Sequence, residues 1–576
     1  MAHDLVIVGG TVVDGTGADA RAADVVIDDG RITAVVEPGS VVDAADTIDA
    51  TGLLVTPGFV DIHTHFDGQA TWDSELTPTS WHGVTTIVMG NCGVGFAPVE
   101  DGKQDWLIGL MEGVEDIPGT ALAEGIDWQW ETFPEYLDVL ARRRWTVDVG
   151  AQIAHGPVRA YVMGERGARN EPASPEEIAR MKAIVAEAVD AGALGFTMSR
   201  TIGHIAIDGE PVPGTFAAED EIFGICGALG ELGKGVVELA PTGSAGEDII
   251  NPAKEVDWMR RLSLEIGRPV TFALLQVDAA PDLWRELMET SRKAVEEGAD
   301  LWAQVAGRPT GLLSGFRTRY SFFDQIPEYA ALKIEQLPWD ELKKVVSDPE
   351  FRARIIECEL DEPTAKLVAR ASLQTFVLGD PPDYEPGPEK SLAAIAEATG
   401  RSPLEVAYDA MLENDCEGLL YVPILGYSNG NLDHVREMLM HPRSAVGLAD
   451  GGAHCSVICD ASMPTYMLTH WTRDRSRGER LPLEFVVRKQ THDTARLYGM
   501  TDRGTLEPGM LADVNLIDYD RLRVLPPVVV ADLPAGGTRV VQGAEGYVAT
   551  IKRGVVTYRN GEATGARPGE LVRSDG

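Results

Sequence analysis

Short runs of valine, isoleucine and leucine broken by glycine turns open the chain: DLVIVGG, TVVDGTG, ADVVIDDGRITAVV and DTIDATGLLVTPG. Runs of this kind, punctuated by Gly-Gly and Asp-Gly, predict β-strands joined by tight turns. The same texture returns at the other end, in GMLADVNLIDYD, TRVVQG and GYVATIKRGVVTYRNGE. Two β-rich ends around a different middle predict one small β-sandwich built from residues 1–56 and 505–576. Two unrelated β appendages are the blander alternative. In the middle, residues 57–504, strand-length apolar segments alternate with helical stretches: GFVDIH, VTTIVMG, VDVGAQIA, LGFTMS, GVVELA, PVTFALLQ, LWAQVAG and SAVGLAD are the candidate strands. The clearest helix runs from Ser174 to Ala191. Ser174 caps it, Pro175 suits the first helical position, Glu177 completes a capping box and Gly192 ends it.

Eight strands alternating with helices predict an α/β protein whose core is a parallel (β/α)8 barrel of the TIM type. A doubly wound open sheet is the alternative, but no glycine-rich dinucleotide fingerprint follows the first strand. No repeat of 20–50 residues is evident, which excludes a solenoid. The stretch from about Arg308 to Glu417 is too long for a simple loop. It is expected to be an inserted, mainly helical segment, residues 308–417, covering one barrel face.

Composition narrows the partners. The 576 residues are 44% hydrophobic and 24% charged, enough for a sizeable core and incompatible with general disorder. A net charge of −40 argues against nucleic acid and against anionic membrane surfaces. The six cysteines form no CxxC pair, which suits a reducing, cytoplasmic setting. The opening MAHDLVIVGG lacks a basic n-region and is not a secretory signal, and no apolar run approaches the ~18 residues a bilayer span needs. A soluble intracellular protein is expected, and nothing in the sequence opposes a homo-oligomer.

The sharpest chemical signal is Asp61-Ile62-His63-Thr64-His65 at the end of an apolar strand. Alternate strand residues point the same way, so His63 and His65 project together, about 6–7 Å apart, and can grip one metal ion. The end of a barrel strand is where active sites sit. Two incidental surface histidines are the plain alternative. The second signal is Gly447-Leu448-Ala449-Asp450-Gly451-Gly452, closing the last strand. Alone, an Asp before Gly-Gly is a turn residue; paired with DxHxH it can ligate the metal and take a proton from water. The third is Gly90-Asn91-Cys92-Gly93-Val94-Gly95. There a thiolate can ligate zinc, since soft sulfur selects that metal; a tight glycine turn around a small buried residue is the equal alternative.

The blocks PGFVDIHTHFD, GVTTIVMGNCGVGFAPV and MEGVEDIPG, with AHGPVRAYVMG, GALGFTMSR, HPRSAVGLADGG and TLEPGMLADVNLID, cover most of the chain. Together they resemble the amidohydrolase superfamily, specifically its N-acyl-D-amino-acid deacylase (D-aminoacylase) branch. The resemblance implies a metal-bearing, distorted (β/α)8 barrel with a β-sandwich made by both ends. It implies that His63 and His65 ligate zinc, that Cys92 bridges or binds it, and that Asp450 is the catalytic acid/base beside it. The branch normally adds histidines at the ends of the fifth and sixth strands. Here those ends read Val236-Val237-Glu238-Leu239-Ala240 and Ala273-Leu274-Leu275-Gln276. Glu238 can substitute as an oxygen ligand and Gln276 would be a poor one, so one or two zinc ions remain open. His155 aligns with a histidine that recurs in the branch and is expected to bind substrate or to support a residue that does. Arg200 and His204, on the loop after the fourth strand, are further substrate-binding candidates. Arg200 would hold a carboxylate in bidentate fashion, or else be a solvated loop cation. His454 either reaches the site or caps a turn; His3, His82, His434, His441, His470 and His492 are expected to be structural.

The expected activity is metal-dependent hydrolysis of a carbon–nitrogen bond, an N-acyl-amino acid plus water giving a carboxylate and an amino acid. The D-configuration comes from the resemblance. The alternatives are a cyclic amide or larger N-acylated metabolite, to which the long insert would lend itself, and a binding protein that has lost catalysis.

Overall fold

The structure is a computed structural model describing residues 2–41, 43–332 and 337–574. Each of the eight apolar segments forms a barrel strand. These are β1 (Phe59–Thr64), β2 (Val84–Met89), β3 (Asp148–Ala151, continued by Ile153–Ala154) and β4 (Gly195–Ser199). They continue with β5 (Val236–Ala240), β6 (Val270–Ala273), β7 (Leu301–Val305) and β8 (Ser444–Val446). Neighbours pair in parallel in that order, and β3 changes partner midway: Asp148–Ala151 pairs with β2, Ile153–Ala154 with β4. The circle closes just past β8. Asp450 N–H donates to His63 O at 3.1 Å and His65 N–H to Gly451 O at 2.7 Å. That seam excludes the open sheet. Strands β1, β2, β4 and β5 are buried at every position, as parallel strands sheathed by helices must be, and this is why they read as mainly apolar runs without polar alternation.

The helix Pro175–Asp190 shows how local sequence sets the outer ring. Ser174 Oγ accepts from Glu177 N–H at 3.2 Å, and the Glu177 carboxylate accepts from Ser174 N–H at 2.7 Å. Met181, Val185, Ala188 and Val189 then recur on the face turned to the barrel.

Both ends of the chain meet in one nine-stranded sheet. Leu54–Pro57 pairs antiparallel with Val514–Ile517, which joins the amino-terminal strands to Tyr547–Lys552 and Val555–Arg559. Ile7, Val25, Ile27, Val514, Leu516 and Ile551 fill the core of this β-sandwich. The last strand, Leu571–Val572, leaves the sheet and adds in parallel beside β3. Sandwich and barrel are pinned by buried charge. Asp148, at the start of β3, lies 2.7 Å from both Arg503 Nη1 and Lys552 Nζ, and Lys552 also reaches Asp513 at 2.7 Å. Burial alone would raise the Asp148 carboxyl; Lys552, Arg503 and Arg553 outweigh it and hold it well below the ordinary carboxylate range.

Between β7 and β8, Thr310–Ser314 and Phe376–Val377 flank Leu420–Leu425 in a small antiparallel sheet. Helices Trp339–Val346, Pro349–Ile356, Glu362–Leu373, Leu392–Thr399 and Pro403–Cys416 pack with it around Phe316, Phe323, Tyr408 and Met411. This region touches the loops after β8 and β6: Leu313 N–H donates to Val457 O at 2.7 Å, and Gly426 N–H to Gln276 O at 2.9 Å. No helix among the described residues is long and apolar enough to cross a membrane.

Candidate metal centre

The period-2 geometry of β1 brings His63 and His65 to the same side, with ring centroids 5.4 Å apart and planes inclined at 64°. Cys92 enters from the turn after β2. The glycines around it are required by space as well as by conformation. A Cβ on Gly90 would sit 2.3 Å from Gln152 O and one on Gly93 2.5 Å from Ser199 N, and both have positive φ. Asn91 locks the turn by donating to Thr64 O and Val88 O at 3.0 and 3.1 Å. The donor atoms of His63, His65 and Cys92 all lie within 4.8 Å of one another. Asp450 completes the cluster across the barrel seam, its Oδ1 3.3 Å from His63 Nε2 and 3.7 Å from His65 Nε2. Cys92, Asp450 and His454 hold φ of 55°, 46° and 50°. Non-glycine residues adopt this left-handed region at a cost of about 1–2 kcal/mol each, and such strain gathers where side chains are aimed for function.

Each imidazole is oriented from behind. His63 Nδ1–H donates to Gln304 Oε1 at 2.8 Å, leaving Nε2 toward Cys92 and Asp450. His65 Nδ1 faces Glu115 Oε1 at 3.3 Å, and Glu115 is itself held by His454, whose N–H donates to Glu115 O. Burial pushes the Glu115 carboxyl and the Cys92 thiol well up and moves the Glu238 and Asp61 carboxyls to about 7. Asp450 behaves oppositely: burial would raise it, but the His65, His63 and His454 imidazoles hold it well below the usual range. Glu115 Oε1, Glu238 Oε1, Asp61 Oδ2 and His65 Nδ1 are buried without a hydrogen-bond partner. A divalent cation held by His63, His65, Cys92 and Asp450 would offset the charge of this desolvated acidic cluster, and a donor set of two imidazoles, a thiolate and a carboxylate fits zinc.

A model of the amidohydrolase family matches residues 46–558. The chain belongs to the amidohydrolase family. The D-aminoacylase of Alcaligenes xylosoxydans xylosoxydans is 29% identical to it, over 99% of this chain and 97% of that protein. The structure of a D-aminoacylase with a binuclear metal centre superposes with a TM-score of 0.64 at 22% identity, covering 99% of this chain and 100% of the other. N-acyl-D-glutamate deacylase from Bordetella bronchiseptica, complexed with zinc and a phosphonate inhibitor, superposes with a TM-score of 0.63 at 21% identity over 100% of both chains. These likenesses establish the barrel with its β-sandwich.

In this amidohydrolase the remaining candidates fall in distinct places. Glu238, at the end of β5, accepts from Cys92 N–H through Oε2 at 3.0 Å, while Oε1 lies 3.8 Å from His63 Nδ1. His204 donates to or accepts from Ser199 Oγ through Nδ1 at 2.9 Å, and burial, then His454 and His65, lower it to about 3. Arg200 does not join the cluster. Its guanidinium grips Glu255 at 2.8 and 3.2 Å and donates to Ala217 O at 3.0 Å. His155 is likewise engaged elsewhere, its Nε2 2.9 Å from Glu221 Oε1, which Arg159 also holds. Two groups at the centre carry no assignment from the sequence, Glu115 and Gln304. Glu115 stands in the MEGVEDIPG block and Gln304 is the polar residue near the end of the apolar run LWAQVAG, so both left a signal.

Proposed function

We propose that this amidohydrolase hydrolyses the amide carbon–nitrogen bond of an N-acylated small molecule, with N-acyl-D-amino acids as the first substrate class, at a zinc centre held by His63, His65 and Cys92. The observation that carries this reading is the convergence of those three donors within 4.8 Å beside the Asp450 carboxylate. Zinc at such a centre supplies a Lewis acid that polarises the scissile carbonyl and acidifies the attacking water. Asp450 takes the proton from that water as it adds to the acyl carbon and returns it to the departing nitrogen. Held below the usual carboxylate range, it stays ionised across neutral pH. Gln304 fixes the tautomer of His63, and the Glu115 carboxyl stands behind His65. His204 lies close enough to the cluster to meet substrate. Arg200 and His155, spent on Glu255 and Glu221, shape the walls instead.

The D-configuration follows the relatives' named activities. A second reading, a larger N-acylated molecule, is favoured by a cavity of about 880 Å³ between the 308–417 region and the barrel. Asp116 and Ser456, which line it, lie one and two residues from Glu115 and His454. The six cysteines are all unbridged, and we place the protein in the reducing cytoplasm. A panel of N-acyl-D- and N-acyl-L-amino acids, with larger N-acyl amines, assayed beside zinc quantification on one preparation, tests the reading. Zinc-loaded protein that cleaves none of them would refute it.

A further inference from the structure

Resting on that reading, we infer that the centre of this chain holds one zinc ion and not two, because Glu238 and Gln276 are built into the scaffold around the first ion.

A second ion needs donors of its own on the far side of the first. Among the described residues, one group of three or more histidine, cysteine or acidic donors converges closely enough for an ion, and it is His63, His65 and Cys92. The side chains at the ends of β5 and β6 are the ones placed to extend it: Glu238 is held through one oxygen, its other lying unpaired behind His63, and Gln276 is held at both ends of its amide. Glu238 stands behind His63: it is near Nδ1, at 3.8 Å, whereas Cys92 Sγ and Asp450 Oδ1 approach Nε2 at 3.4 and 3.3 Å. Its other oxygen receives the Cys92 amide proton at 3.0 Å. Glu238 therefore sets the Cys92 turn from the side of His63 that faces away from Cys92 Sγ and Asp450, and turning it toward an ion would break its bond to the Cys92 amide. Gln276 is a loop clasp. Its amide nitrogen donates to Pro281 O at 3.1 Å, its amide oxygen accepts from Ser428 N–H at 3.0 Å, and its main-chain oxygen accepts from Gly426 N–H at 2.9 Å. No ligand atom of Gln276 is free, and a neutral amide is in any case a weak zinc donor.

The test is stoichiometry on the full chain, stripped with chelator and reloaded. Zinc titrated against a chromophoric chelator should saturate at one equivalent per chain, with elemental analysis after desalting giving the same value. Cobalt-loaded protein should show the electron paramagnetic resonance spectrum of an isolated high-spin ion, integrating to one ion per chain. Two tight equivalents, none, or a spin-coupled cobalt pair would overturn the inference. Glu238→Gln discriminates further. As a scaffold residue, its loss lowers zinc affinity about 10- to 100-fold at an unchanged stoichiometry of one. A fall from two equivalents to one, with the retained ion bound as before, would make Glu238 a ligand of a second ion. Failure of the proposed activity is separable: one bound ion with no hydrolysis refutes the function and leaves the count, whereas hydrolysis with two ions does the reverse.

Discussion

Asp450 and His63 are joined twice across the seam that closes the barrel. The Asp450 N–H donates to His63 O at 3.1 Å, and its carboxylate lies 3.3 Å from His63 Nε2. The main-chain bond that completes the fold thus also sets the distance between the carboxylate proposed as base and the ring proposed as the first metal ligand. The two ends of the strand circle, 387 positions apart in the chain, are brought together at the point where the chemistry is proposed.

His63→Ala and His65→Ala are each expected to lose most bound zinc and activity while the barrel stays folded. Both side chains end a strand whose remaining residues keep their packing. Circular dichroism with elemental analysis on the same sample checks this. Full zinc content in either variant would remove that histidine from the centre.

Glu115→Gln keeps the shape behind His65 and replaces the carboxyl that faces Nδ1 at 3.3 Å with an amide. Zinc affinity is expected to fall about 10- to 100-fold, the usual effect of losing a partner that orients a ligand. The turnover of the variant at saturating zinc should recover most of the wild-type value. A chelator-competition titration followed by assay separates the two effects, and unchanged affinity would assign Glu115 a purely structural part.

Arg200→Met leaves Glu255 without its bidentate partner in a largely buried setting, where the pair keeps side-chain exposures of only 14% and 7%. Stability should drop by about 3 kcal/mol, with KM unchanged at temperatures where the variant is folded. A rise in KM at an unaltered melting temperature would return Arg200 to the substrate.

Acid stability should depend on Asp148. Its folded-state proton affinity is depressed, so its contribution is fully present above the unfolded-state value of about 3.9 and is lost as pH falls through the lower folded value. At neutral pH, Asp148→Asn removes the buried carboxylate that Lys552 and Arg503 share and should cost about 3–5 kcal/mol. Below about pH 4 the gap between variant and wild type should narrow as Asp148 of the unfolded wild-type chain takes up a proton that the folded state still refuses. Denaturant titrations of both proteins from pH 7 to pH 3 measure it; a gap independent of pH would deny Asp148 this charge role.

The strands and the convergence of His63 with His65 were legible because their signals are local. A strand buried on both faces must be an apolar run, and two histidines at i and i+2 must share a side. The capping box at Ser174 and Glu177 is likewise written in four consecutive positions. Pairings made by tertiary contact left no such mark. Arg200 stands on a loop at the active face, where a free guanidinium would suit a substrate carboxylate. Its partner Glu255 lies 55 residues away on another helix, and no local pattern announces it. Glu115 sits at the end of a helix, where an acidic residue is ordinarily solvated, and only its burial against His65 gives it a role. Gln304 was the more readable of the two, since a polar side chain inside an otherwise apolar strand needs a partner.

Asp450→Asn tests the proposed chemistry most directly. The substitution keeps the size of the side chain and a weak oxygen donor but removes the base. With zinc content and melting temperature close to wild type, kcat should fall by about 10² to 10⁴ and KM should change little, because the lost proton transfer belongs to the transition state. An Asn variant that binds zinc and turns over at the wild-type rate, whether or not it is less stable, would contradict the assignment of Asp450 as the base.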